Sequence, residues 1–274
     1  MLKKGILVII AFLMCCICSK ADIQYKGILS SNYTTSKPYI FVVALIGGGA
    51  QCKPGEISLA HNGILFLDEL PEFSRTALET LRQPLEDREI TISRAKYTVT
   101  LPCSFMLVAS MNPCPCGYYN HPTRQCSCSP YQRLRYMSKI SGPLLDRIDI
   151  QVEVTPVPVS ELSQAPAGEH SAAIRERVVK ARAVQTERFK DIPGLYCNAQ
   201  MARSHIEKFV HLDEECSQVL QRAMQRLNLS ARAYDRILRV ARTIADLAGS
   251  ENVHTEHIYE AINYRNLDRA DWGQ

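Results

Sequence analysis

The sequence lacks a long membrane-type segment and lacks a strong charge of either sign. Its apolar run from Gly5 to Cys18 is shorter than the roughly 20 residues that a spanning helix needs. The formal charge is +4, from 32 Lys and Arg against 28 Asp and Glu, which by itself indicates no partner. We therefore expect no stable membrane partner. The 274 residues, 46% of them hydrophobic, suit one large domain or two small ones.

The sequence also lacks the G-x-x-x-x-G-K-[ST] phosphate loop with which many proteins bind nucleotides. The nearest segment, Gly47 to Pro54, has Cys52 at the position of the second glycine. Pro54 stands where Ser or Thr must meet Mg²⁺. Without the backbone cradle and its lysine, we expect that this chain alone does not hydrolyse ATP.

The other half of such a site is present at Gly63 to Glu69, where four apolar residues lead into Asp68 and Glu69. This pattern predicts a buried strand that delivers two carboxylates to its carboxyl end, as in a Walker B strand. The Asp would hold Mg²⁺ and the Glu would polarise the attacking water. The alternative is a strand that happens to end in two acids.

Periodicity predicts the remaining elements. We expect a strand at 39–46, a helical segment at 71–85, a hairpin at 90–101, and strands at 105–110 and 148–154. Pro156, Pro158, Pro166 and Gly168 indicate a linker, and the pattern beyond it is helical, with helices predicted at 171–189, 201–228, 231–248 and 255–264.

Two further polar residues follow predicted elements. Asn112 follows the strand at 105–110 and could sit beside Asp68, although it could equally be a turn residue before Pro113. Arg147 stands between a short helix and a strand, where a guanidinium could reach a phosphate across a subunit boundary. An ion pair with Asp146 or Asp149 is the alternative.

Four of the 11 cysteines cluster in two Cys-x-Cys pairs, which favours metal over disulfides. A tetrahedral thiolate site for Zn²⁺ is the expectation, with His121 as a substitute ligand and free thiols as the alternative. The four cysteines are Cys114, Cys116, Cys126 and Cys128.

Basic and aromatic residues surround this cluster and would suit single-stranded nucleic acid, unless they only support the loop. They are Arg124, Arg133, Arg135, Tyr118, Tyr119, Tyr131 and Tyr136. The hairpin tip, Arg94 to Lys96, is also basic and could contact phosphates or simply be a solvated turn.

In this order, the motifs resemble the ComM/YifB family of magnesium-chelatase-like AAA+ ATPases. The resemblance covers roughly residues 45 to 270. The motifs that carry it are Gly47 to Gly49, Pro54 to Phe73, Arg82 to Asp87, Asn112 to Gly117, Ser141 to Asp149, Ser230 to Arg236 and Ala241 to Leu247.

The resemblance implies an α/β fold, a partial AAA+ P-loop core in three αβα layers, followed by an all-α helical lid. It implies Walker B roles for Asp68 and Glu69, sensor 1 for Asn112, an arginine finger for Arg147 and sensor 2 for Arg232. ATP and Mg²⁺ would be the cofactors, and the chain would form a hexameric ring. The substrate would be DNA, with helicase activity in branch migration during natural transformation.

The chain departs from that family at its N-terminal side, where a Lon-type protease-like domain and a Walker A loop are expected. We predict an unmatched segment at 1–44, the second half of the ATPase core at 45–155 with a Cys-rich insert at 114–128, and the lid at 156–274. Lys3, Lys4 and the apolar run after them have the shape of a signal peptide, which conflicts with the cytoplasmic location expected of a nucleotide motor. A truncation or frameshift would explain the segment.

Two other functions remain open from the sequence. One is a non-catalytic module that binds zinc or nucleic acid, and the other is a chelatase-type subunit that remodels a protein.

Overall fold

A computed structural model describes residues 25–29, 38–49, 51–93, 97–154 and 168–265, with the backbone alone for 25–29 and 38–41. The chain divides into two compact units, with described residues up to Ile148 in the first and from Asp149 in the second. The N-terminal 24 residues, the hairpin tip at 94–96 and the proline-containing stretch at 155–167 lie outside the described residues. Each unit is described by itself.

The first unit is built from short strands and helices. Its strands are β1 (Tyr25–Leu29), β2 (Gly47–Gly48), β3 (Lys53–Pro54), β4 (Ile64–Leu67), β5 (Glu89–Ser93), β6 (Thr98–Pro102) and β7 (Met106–Ala109). Its helices are α1 (Pro38–Ile46), α2 (Glu56–Leu59), α3 (Arg75–Glu79), α4 (Arg82–Asp87), α5 (Pro130–Met137) and α6 (Gly142–Leu145), with a 3₁₀ turn at Leu70–Glu72.

A parallel sheet with the order β1-β4-β7 forms the centre of this unit, with Leu65 and Leu67 fully buried between its helices. The core also contains Ile57, Phe73 and Leu81. Burial of these large apolar side chains is the main favourable contribution to this fold. The predicted hairpin is confirmed, with β5 and β6 antiparallel and Ile90 opposite Leu101.

Two predicted strands are wrong. Residues 38–46 form α1, with Pro38 at its first turn, because a short apolar run of β-branched residues fits a buried helix as well as a strand. Residues 148–154 form no strand. Instead, the Gln151 N–H donates to the Tyr264 carbonyl (2.8 Å) and Ile150 contacts the helical core, so the segment is held by the second unit.

The Gly47–Pro54 segment is a tight hairpin rather than a phosphate cradle. β2 and β3 pair in antiparallel fashion, and Gly47 has a φ of +95°. A Cβ added to Gly55 would lie 2.3 Å from the Gly47 nitrogen, so the two backbones cross where no side chain fits.

The second unit is helical and contains α7 (Ser171–Phe189), α8 (Arg203–Phe209), α9 (Glu214–Arg226), α10 (Ala231–Ala248) and α11 (Thr255–Asn263), with a 3₁₀ turn at Asn198–Gln200. α10 supplies much of its core, including Ile237, Ala241 and Ala245. Ser230 caps α10 by accepting from the Ala233 N–H, and Gly249 ends it in the left-handed region. The helices predicted at 171–189 and 231–248 are confirmed at these bounds.

Among the described helices, none combines the length and the apolar character that crossing a bilayer requires.

Candidate active site and metal site

Asp68 and Ser110 lie next to one another because they follow neighbouring parallel strands. β4 and β7 are paired with Leu67 opposite Ala109, so the next residue of each strand emerges at the same edge of the sheet. There the Ser110 hydroxyl donates to Oδ1 of Asp68. The Ser110 Oγ also accepts the backbone N–H of Glu69 at 3.2 Å. One hydroxyl therefore fixes the carboxylate of the first acid and the backbone of the second.

Glu69 turns the chain sharply after the strand. Its backbone is left-handed, with φ 55° and ψ 53°, which is uncommon for a residue with a Cβ. The Leu70 N–H then donates to the Ser110 carbonyl (2.9 Å), and Leu70 and Pro71 are buried. The strained turn is thus held by β7 on one side and by the core on the other. Strain held in this way is typical of functional sites.

Asn112 follows β7 two residues beyond Ser110 and is exposed. Its backbone is hydrogen-bonded to the buried hydroxyl of Tyr136 on α5. Burial, with smaller contributions from the charges of Glu72 and Glu69, raises the pKa of Tyr136 to about 12. Tyr136 is therefore a neutral hydroxyl at physiological pH that holds the loop carrying Asn112.

Arg147 is buried and fully engaged within its own unit. Its Nε donates to the Arg82 carbonyl at 3.1 Å, and its Nη1 donates to the Pro143 carbonyl at 2.7 Å. Its Nη2 donates to the Glu86 carboxylate, which is half exposed. The predicted ion-pair alternatives are Asp146 and Asp149. The structure shows a pair with Glu86, which the sequence did not predict, and Asp149 accepts from Arg236.

Arg232 is exposed in the first turn of α10, in the helical unit. The preceding Ser230 sets the start of that helix and hence the direction from which Arg232 projects. The roles assigned to Asp68, Glu69, Asn112, Arg147 and Arg232 stay predictions.

The four clustered cysteines converge, with all four sulfur atoms within 4.8 Å of one another. The Sγ of Cys114 lies 3.3 Å from that of Cys116 and 3.7 Å from that of Cys126, and Cys116 and Cys126 are 3.5 Å apart. Zn–S bonds of about 2.3 Å in a tetrahedron place sulfurs about 3.8 Å apart, so the donor set fits this ion.

Electrostatics at the cluster also fit a cation. A backbone hydrogen bond from Tyr118 is the main cause that lowers the pKa of the Cys116 thiol to about 5. Burial, assisted by the charge of Cys114, raises the pKa of Cys128 to about 12. Four neighbouring sulfurs cannot all ionise without positive charge, which a bound metal would supply.

His121 does not join the cluster. Its Nδ1 accepts the backbone N–H groups of Thr123 (3.2 Å) and Arg124 (3.1 Å), which shapes the turn between the two Cys-x-Cys pairs.

Sequence reasoning missed Ser110, Tyr136 and Glu86 as parts of this site. Ser110 could have been predicted, since it is a hydroxyl residue at the carboxyl end of the strand that neighbours the strand before Asp68. The contacts of Tyr136 with Asn112 and of Glu86 with Arg147 span 24 and 61 residues, and no local pattern predicts them.

Two family models match the chain. Residues 14–162 match "Magnesium chelatase, subunit ChlI", and residues 168–265 match "Magnesium chelatase, subunit ChlI C-terminal". The first match begins within the segment 1–44 that we could not place from the sequence, so the boundary at 44 stays a prediction.

Curated relatives give the same result. The chain is 48% identical to the competence protein ComM of Haemophilus influenzae over 227 residues, which are 82% of this chain and 43% of that protein. It is 45% identical to the uncharacterized protein YifB of Salmonella typhimurium over 231 residues, 83% of this chain and 44% of that one. A probable DNA helicase MCM9 of Arabidopsis thaliana is 24% identical over 131 residues, 47% of this chain and 19% of that one. The chain thus spans less than half the length of the ComM and YifB relatives.

Proposed function

Because the chain belongs to the family of magnesium chelatase subunit ChlI, with ComM and YifB homologues, we propose that it is the motor portion of an AAA+ ATPase acting on DNA. The family implies an AAA+ type α/β fold followed by a helical domain. The observation that carries the proposal is the Ser110 bridge, which fixes Asp68 and Glu69 together at the sheet edge. The names of two relatives, a competence protein and a probable DNA helicase, support DNA as the substrate.

Asp68 would hold Mg²⁺, which prefers oxygen ligands and usually keeps several waters. The fit is good, because Asp68 is half-buried and Ser110 occupies only one of its oxygens. When bound, Mg²⁺ neutralises charge on phosphate oxygens. Glu69 would polarise the attacking water, and Asn112 would orient it. A hexameric ring, a cytoplasmic location and a role in branch migration during natural transformation belong to the same proposal.

Arg147 would act in trans on a neighbouring subunit, and Arg232 would contact nucleotide from the lid. For Arg147 this requires an exchange of acceptors, since a phosphate would replace Glu86. Glu86 is half exposed, so it can be rehydrated when the guanidinium leaves.

The 274 residues contain no phosphate loop, so we expect no ATP turnover from the purified chain. A chimera that joins a G-x-x-x-x-G-K-[ST] segment, as expected of the ComM/YifB family, ahead of Gly47 should bind and hydrolyse ATP. In it, Glu69→Gln should lower turnover on the order of 100-fold or more while ATP binding persists. Glu72→Gln is the matched control, because this exposed acid lies one turn further on. Equal turnover in the two variants would remove Glu69 from the mechanism.

We also propose a zinc ion at Cys114, Cys116, Cys126 and Cys128. Protein purified without added metal should contain about one equivalent of zinc, as a four-thiolate site requires. Cys126→Ser should lose it, whereas Cys52→Ala, which alters a cysteine outside the cluster, should keep it. Less than a tenth of an equivalent in the unaltered chain would exclude zinc.

A further inference from the structure

The positive charge of the chain is concentrated in one stretch. Residues 90–145 contain no Asp or Glu and six of the 32 Lys and Arg. The remainder of the chain therefore carries 26 cations and 28 acids. The excess of positive charge therefore lies in the segment that includes β6, β7, the cysteine cluster and α5. A segment with basic residues and no acidic ones favours a polyanionic partner.

The aromatic and basic residues of this stretch divide into two sets. One set supports the cysteine loop: Arg124 lies over the ring of Tyr118 (5.1 Å), and Arg133 lies over Tyr119 (4.5 Å). Arg133 also donates to the Cys128 carbonyl at 2.9 Å. These two guanidiniums are committed to the loop.

The second set faces outward from α5. Tyr131, Leu134, Arg135 and Ser138 follow the i, i+3, i+4, i+7 spacing of one helical face, and all four are exposed. The exposed fractions are 71% for Tyr131 and 56% for Leu134, whereas the opposite face buries Tyr136 and Met137. We refer to these four residues as the α5 stripe. Its apolar side chains lie in solvent beside a cation.

We propose that the α5 stripe binds single-stranded nucleic acid, with Tyr131 stacking on a base, Leu134 beside it and Arg135 contacting a phosphate. A base offers a flat apolar face and a phosphate offers negative charge, which together match this set. The charge of the surrounding stretch favours nucleic acid over a protein surface, since residues 90–145 contain no acid. Glu72, whose charge reaches Tyr136 on the inner face of α5, is paired with Lys139 at 3.6 Å. This proposal rests on the proposed action on DNA and names its contact surface.

The helix connects this surface to the sheet edge. Ser129 caps α5 directly after Cys128, and the reciprocal Ser129–Gln132 bonds and Pro130 fix its first turn. On its inner face, Tyr136 bonds the backbone of Asn112. A base stacked on Tyr131 would therefore contact the same short helix that holds Asn112. This helix would connect bound DNA to the sheet edge that carries Asp68.

The test is a fluorescence anisotropy titration of the 274-residue chain with a labelled oligo-dT strand across a salt series. Tyr131→Ala should weaken binding roughly 5- to 160-fold, the range measured for one lost base stack. Arg135→Ala should reduce the slope of log K against log salt by about 0.7, the value for one phosphate on a single strand. The matched controls are Tyr259→Ala on α11 and Arg226→Ala on α9, both exposed in the helical unit.

Three results would overturn the proposal, and they are distinguishable. If the chain binds the strand and the stripe variants bind equally well, the stripe is wrong while action on DNA stands. If the unaltered chain binds no strand, the proposed action on DNA fails and the stripe fails with it. If Tyr131→Ala changes the size of the assembly in sedimentation but not strand affinity, the stripe is covered by a second copy. Urea unfolding of each variant confirms that it is folded.

Discussion

Both units of the chain bury charged side chains, but Asp246 in the helical unit and Arg147 in the α/β unit are held differently. In the helical unit, Asp246 is completely enclosed and accepts from Arg188, Arg242 and Asn198. In the α/β unit, Arg147 is nearly as buried, yet its carboxylate partner, Glu86, is 47% exposed. The first arrangement fixes helices α7 and α10 together. The second holds a cation with a partner that water can replace, which is consistent with the proposed exchange of Glu86 for a phosphate.

The largest expected effect is at Asp246. Asp246→Ala should destabilise the helical unit by about 3–5 kcal/mol, because two guanidiniums lose their counter-ion in the interior. Urea unfolding followed by circular dichroism measures this loss. A cost near 1 kcal/mol would show that water enters the cluster, and the contrast with Arg147 would then disappear.

A smaller effect is expected at Glu86. Glu86→Gln keeps the shape of the side chain and removes its charge, and Arg147 retains the Arg82 and Pro143 carbonyls. We expect a loss of about 1 kcal/mol, reduced by solvent screening at the half-exposed carboxylate. The same unfolding experiment applies. A loss of 3 kcal/mol or more would mean that Arg147 is locked like Asp246 and is unsuited to leave its site.

The smallest effect is expected at an exposed pair. Arg203 bridges Glu207 (3.0 Å) and Asp235 (2.8 Å) on the surface of the helical unit. Arg203→Ala should leave the unfolding midpoint within experimental error, because exposed ion pairs contribute little. A clear destabilisation would indicate that burial is not what separates strong from weak charge pairs in this protein.

The sequence was sufficient to predict elements whose residue pattern lies within one short segment. The strand before Asp68, the hairpin and the helices at 171–189 and 231–248 follow from local periodicity. It failed where tertiary partners decide, as at 38–46, which forms a helix, and at 148–154, whose backbone bonds to Tyr264 instead of a sheet.

The candidate site shows the same division. Asp68, Glu69 and the four cysteines are recognisable from residue type and spacing alone. The groups that hold them are not, because the Ser110 hydroxyl reaches Asp68 across 42 residues and Tyr136 reaches Asn112 from another element. Only the pairing of β4 with β7, and the burial of one face of α5, place these side chains together.

The cap of α5 also has a kinetic consequence. Ser129, Pro130 and Gln132 define the start of the helix from adjacent residues, so this end can form without help from distant parts of the chain. Cys114, at the other end of the loop, is fully buried and lies two residues after Asn112, whose backbone Tyr136 holds. Bringing Cys126 to Cys114 then requires closing a loop of 12 residues, and loops of about this length close in roughly 10–100 ns. For the proposed zinc ion, chain diffusion at that speed would leave the exchange of ligands around the incoming ion as the slow step of binding.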